Sequence, residues 1–122
     1  LMLSEGHDLA GHEVLSASDV AGETMIARRS CEVLAETSRW FTQRGVRPPF
    51  FLRSSNDDRC MEMVRIGMGV TTAPRSLVRA GVRAVPLSGY DFRRTIGLLF
   101  PRGSDGIAEG DPLALACLGA AP

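Results

Sequence analysis

Short apolar runs alternate along this chain with stretches in which large apolar side chains recur every three or four residues. Residues 24–28 (Thr-Met-Ile-Ala-Arg) form a run that suits a buried strand. Over residues 31–44, Val33, Leu34, Thr37, Trp40 and Phe41 share one face, which predicts a helix. Ser30 is its expected N-cap, with Glu32 in the first turn where the helix dipole favours an acid. Gly45 ends it, and Pro48-Pro49 forbid its continuation. Residues 50–53 read as a second strand. With Ser55 as cap and Asp58 three residues on, a second helix is expected over 56–66, turning Cys60, Met61, Met63 and Val64 inward until Gly67 and Gly69 break it. A third strand at 69–73 stops at Pro74. One or two helical turns at 76–80, a short strand at 82–86 and a last strand at 93–100 complete the order. Alternation of this kind predicts an α/β fold with a mainly parallel sheet flanked by helices. Residues 1–23 show neither period and read as a linker with turns, one of them capped by Ser16 with Asp19 three residues on.

Composition narrows the function classes. The 122 residues are 44% hydrophobic and 23% charged, the mix of one globular domain. No apolar run approaches the roughly 20 residues that span a bilayer, and the first residues lack the pattern of a signal peptide, so a cytoplasmic protein with no membrane partner is expected. Fourteen basic residues, all Arg, balance fourteen acidic ones. That balance argues against the chain gripping nucleic acid by itself. Cys31, Cys60 and Cys117 form no C-x-x-C pair, so neither a zinc site nor a dithiol redox motif is expected. Met61, Met63 and Met68 suit core filler, and Asp57-Asp58 suits the dipole of a helix first turn. His7 and His12 have no Ser or Cys at an interpretable spacing and read as solvent-facing. There is no phosphate-binding glycine loop and no nucleophile elbow, so no cofactor, no metal and no enzymatic activity are expected.

Four segments in order carry a family resemblance. His7-Asp8-Leu9-Ala10-Gly11 resembles the His-Pro-Leu-Ala-Gly linker of LysR-type effector domains, with Asp8 in place of the usual Pro. Ser18-Asp19-Val20-Ala21-Gly22-Glu23 resembles the family's Asp-Leu-Ala-Gly-Glu turn. Residues 64–74 resemble its Val-x-x-Gly-x-Gly signature ending in Pro, and residues 94–100 resemble the strand that returns to the first subdomain. The resemblance implies a periplasmic-binding-protein type 2-like fold, two α/β subdomains with a ligand cleft between them. Residues 1–23 would then be the linker from a first subdomain outside this chain. Residues 24–92 would be the second subdomain, 93–102 the returning strand and 103–122 a tail. The implied function is the sensing portion of a bacterial transcriptional regulator. Its partners would be a small-molecule effector, further copies in a dimer or tetramer, and DNA only through a helix-turn-helix absent from this chain.

In parallel α/β sheets ligands sit beyond the carboxyl ends of strands, near helix N-termini that attract anions. The loops Arg28-Arg29-Ser30-Cys31 and Arg53-Ser54-Ser55-Asn56 are the expected places. The candidate ligand-binding residues are Arg29, Ser30, Cys31, Ser54, Ser55 and Asn56, with Thr71 and Thr72 on the neighbouring strand. A small polar or anionic metabolite suits these groups. Thr71 and Thr72 alternate faces, so at most one should meet it. Cys31, expected at a helix N-terminus beside Arg28 and Arg29, is also a redox candidate. It resembles the reactive cysteine of peroxide-sensing LysR-type regulators, although Ser30 and Trp40 stand where those sensors carry a His and a second Cys. Two further alternatives are a solute-binding protein of the same fold and an enzyme using Cys31 as nucleophile, which lacks a recognisable base.

Overall fold

The run at residues 24–28 is a buried strand, as its composition predicts. In the computed structural model, which describes residues 1–99 and 111–119, β2 (Met25–Arg28) is buried at all four positions. It pairs in parallel with β3 (Phe50–Ser54), with Arg28 opposite Ser54. On its other side Ile26 N–H donates to the Val70 carbonyl at 2.8 Å, again in parallel sense. Thr71 in turn exchanges backbone bonds with Met2, at 2.7 and 3.0 Å. Met2 belongs to β1 (Met2–Ser4), which pairs antiparallel with β4 (Val82–Ala84). The expected third strand is thus reduced to Val70 and Thr71, which join a parallel half to an antiparallel half.

Period-two alternation sorts the side chains of this sheet into two cores. Leu3, Met25 and Val70 turn toward a cluster with Trp40 and Phe41 of α1 (Leu34–Gln43). Met2, Ile26 and Val82 turn the other way, onto Cys60, Met61 and Val64 of α2 (Asp57–Arg65). The stretch expected as a linker contributes β1 to the sheet and Leu3, Leu15 and Val20 to the first core. A three-residue strand is too short to show a period, which is why the sequence hides it.

Both helices differ from expectation at their starts. α1 begins at Leu34, three residues later than the spacing predicts, because residues 28–31 and 31–34 close turns of their own. Ser30 therefore caps nothing. α2 is capped by Asn56, whose side chain accepts from Arg59 N–H at 2.9 Å, and not by Ser55. At the far end of α1, Gly45 adopts φ 71°, the left-handed stop that the sequence predicts. Between α2 and Val70, Gly69 lies so close to β2 that a Cβ there would meet the Thr24 carbonyl oxygen at 2.6 Å. The expected turns at 76–80 reduce to one 3-10 turn, Arg75–Leu77.

The chain divides into two units, Leu1–Phe92 and Arg93–Pro122. In the second, residues 93–99 are irregular, where a strand was expected over 93–100. A strand needs a neighbour for its backbone groups, and no described strand pairs with this segment. Phe100 and the rest of the expected returning segment lie outside the described residues. Of the tail, only Asp111 and α3 (Pro112–Gly119) are described, with Asp111 accepting from Leu113 N–H at 2.9 Å at the helix start.

Candidate functional site

The parallel pairing of β2 with β3 brings the two expected loops side by side, since Arg29 N–H donates to the Ser54 carbonyl at 2.8 Å. What gathers there is an ion pair. Arg28 donates from Nε to Asp57 Oδ1 at 2.9 Å and from Nη2 to Oδ2 at 2.6 Å, a bidentate fork. Its Nη1 donates to the Thr72 carbonyl at 3.3 Å. The Ser30 hydroxyl donates to Asp57 Oδ1 at 2.7 Å. The Arg28 side chain is 5% exposed and that of Asp57 is 32% exposed. The guanidinium hydrogen bond holds the Asp57 carboxyl below the usual carboxylate range; partial burial opposes this, and Ser30 reinforces it.

Beside the pair lies a pocket of about 40 Å³, between β2 and α1. Cys31, Leu34, Thr37, Phe41, Phe50 and Thr72 line it with Arg28, and the surface they present is almost wholly apolar. The volume has room for a few atoms only, so it can take one edge of a ligand but not enclose a whole metabolite. The Thr37 hydroxyl donates to the Val33 carbonyl at 2.8 Å and also meets the Tyr90 hydroxyl. Burial raises the Tyr90 phenol above its ordinary range, against the opposing hydrogen bonds to Thr37 and Thr72. Tyr90 packs edge-on against Trp40, with ring centroids 5.4 Å apart, and against Phe92 at 4.6 Å.

The expected site residues divide accordingly. Cys31 and Thr72 line the pocket. Ser30 steadies Asp57, and Arg29 is exposed and reaches its neighbour through its backbone. Ser54 Oγ accepts from Asn56 N–H at 3.1 Å, Asn56 caps α2, and Ser55 is exposed. Thr71 is buried and donates to the Ile26 carbonyl at 2.7 Å, so of the two threonines it is Thr72 that meets the pocket. Sequence reasoning missed Asp57, Thr37 and Tyr90. Asp57 had a signal, an acid directly after the loop that follows a strand. Tyr90, 53 residues from Thr37, had none. Cys31 stands three residues before the first residue of α1, not at a helix N-terminus, and its neighbour Arg28 is engaged by Asp57. Cys60 is buried, which raises its thiol, and it donates to the Ser54 carbonyl at 3.9 Å. His7 is not solvent-facing: Nε2 meets Glu23 at 3.1 Å, and Nδ1 accepts from Leu9 N–H. Among the described residues no group of three His, Cys, Asp or Glu side chains could hold a metal, and no helix is long and apolar enough to cross a membrane.

Known proteins place this architecture. The crystal structure of HinK, a LysR family transcriptional regulator from Pseudomonas aeruginosa, is 27% identical and superposes with a TM-score of 0.62 over 71% of this chain. The effector-binding domain of QuiR, solved with shikimate, superposes with a TM-score of 0.66 over 75% of the chain and 45% of its own. At 17% identity that likeness concerns the fold alone, the α/β arrangement of the periplasmic-binding-protein type 2 kind. The chain spans about a third of HinK, 32% of its length. No curated protein matches it in sequence. The family model described as the LysR substrate binding domain matches residues 1–109, nearly the whole chain, and on that match the chain belongs to this family.

Proposed function

We propose that this chain is part of the effector-sensing region of a bacterial LysR-type transcriptional regulator, and that the pocket beside Arg28 is one wall of the cleft in which a small polar or anionic metabolite binds. The observation that carries this reading is the position of the pocket. It opens between β2 and α1, running along β2 to its carboxyl end at Arg28 and reaching Phe50 at the start of β3, and its Arg28–Cys31 end lies where parallel sheets take their ligands. Residues 24–92 make the second subdomain in this reading, and 93–102 return toward a first subdomain elsewhere in the protein. Cys31 and Thr72 touch the ligand, with Arg29, Ser30, Ser54, Ser55 and Asn56 at the rim. Effector binding shifts the relative angle of the two subdomains and so the operator geometry of the full-length oligomer, a dimer or tetramer. It does so only to the extent that the two states differ in affinity. DNA is met through a helix-turn-helix outside this chain, in the cytoplasm, and no chemistry is performed on the ligand. Thermal unfolding of the full-length regulator against a panel of small metabolites tests this. At least one should raise the midpoint saturably, and Leu34→Glu, on the pocket wall, should abolish the rise. A rise untouched by Leu34→Glu places the ligand elsewhere.

A further inference from the structure

We infer that the group which an effector lays against this wall is uncharged and apolar, and that Asp57 sets this specificity by occupying Arg28. The inference rests on the cleft-wall reading above and goes beyond it to the chemistry of the ligand. Arg28 is the only charged residue lining the pocket. A buried arginine there invites a bidentate carboxylate from a ligand. That position is already filled, because Nε and Nη2 meet the two oxygens of Asp57 and Nη1 meets the Thr72 carbonyl. With 5% of its side chain exposed, Arg28 offers no second approach. Asp57 cannot swing away freely, since it stands in the first turn of α2 and Ser30 holds it from the other side. A ligand carboxylate would have to expel it and leave one more charge to desolvate. What remains of the wall is mainly hydrocarbon from Leu34, Phe41 and Phe50, with Cys31, Ser38 and Thr72 beside them. The Thr37 hydroxyl beside them already bonds within the protein. The room, about 40 Å³, fits the edge of a ring or a branched alkyl group. The polar or anionic end of the metabolite therefore points away from Arg28.

Calorimetric titration of the full-length regulator with benzyl alcohol and with benzoate, which share a ring and differ in charge, tests the inference. The wild type should bind benzyl alcohol saturably and at least as tightly as benzoate, and Leu34→Glu should weaken that binding about tenfold or more. Asp57→Asn should turn the preference toward benzoate by about tenfold, because it frees the guanidinium. Benzoate bound more tightly by the wild type, with the preference lost in Arg28→Met/Asp57→Asn, overturns the inference. That comparison stands even where Asp57→Asn fails to fold, since the double variant removes both charges together. Binding of neither probe overturns it as well. In that event, genome-wide operator occupancy altered by Leu34→Glu leaves the cleft reading standing, and occupancy unaltered removes both.

Discussion

Arg28 and Asp57 show how one buried charge dictates its surroundings. Desolvating a guanidinium costs more than any single hydrogen bond returns, so the sequence must supply a partner with matching geometry. Asp57 is that partner, from a helix 29 residues further along the chain. Asp57→Ala should therefore destabilise the fold by about 3 kcal/mol, the lower end for a broken buried pair because Asp57 is a third exposed. Arg28→Met/Asp57→Asn should cost far less, and urea denaturation of the two variants side by side reads the difference. The same pair sets an acid limit. The Asp57 carboxyl is depressed in the folded state, so its contribution is fully present above its unfolded value, about 4. It is lost as pH falls below that through the folded value. Asp19 and Glu62 are depressed too, by hydrogen bonds from Ser16 and Arg65. The part due to Asp57 is thus the loss of stability between pH 5 and pH 2 that the double variant does not share. Tyr90 offers an independent check, because it is the only tyrosine of the sequence. Phenolate absorbance should titrate with a midpoint above the ordinary value of about 10, burial being the main cause. Tyr90→Phe should cost about 1–2 kcal/mol: Thr37 keeps its bond to Val33, but the buried Thr72 hydroxyl loses its bond to the phenol.

At the scale of elements, glycines separate steric from conformational control. Gly69→Ala pushes a methyl group against the Thr24 backbone and Ile26 where Val70 joins β2, and should destabilise by about 3 kcal/mol. Gly45→Ala meets nothing within 4 Å and costs only the left-handed backbone, about 1 kcal/mol. Chemical denaturation followed by the single Trp40 measures both; equal costs would mean that the strand junction yields without strain. These two glycines also mark what the sequence made legible. Gly45, the apolar spacing of α1 and the Ser16–Asp19 box, with its bonds of 2.7 Å, are local features, and local patterns predict them. β1 was not readable, because it is decided by a partner far along the chain; the cap by Asn56 and the late start of α1 are local choices among neighbouring candidates, made by the Arg59 N–H and by the turns over 28–31 and 31–34. β1 exists through β4, some 80 residues away, and Ser30 abandons its expected cap for Asp57. The site divides on the same principle. The loops after β2 and β3 follow from strand order, but the engagement of Ser30 by Asp57 follows from pairing register, and no spacing rule connects Tyr90 to Thr37.

For the molecule as a whole, charge bears on the proposed role in DNA recognition. Its formal charge is zero, and several exposed arginines are neutralised within reach of their own helix or its neighbour. Arg39 pairs with Glu36 at 3.1 Å, Arg65 with Glu62, and Arg79 with Asp58 at 3.0 Å. Affinity for duplex DNA depends on phosphate contacts, and each contact contributes about 0.9 to the slope of log affinity against log salt. A region that makes none should leave that slope alone. Arg39→Gln/Arg65→Gln in the full-length regulator should therefore shift neither the affinity for operator DNA nor its salt dependence, measured by fluorescence anisotropy over a salt series. A slope lowered by one or two would place these helices against the phosphate backbone. This region would then be a direct contact of the operator, rather than one that acts on it indirectly as proposed.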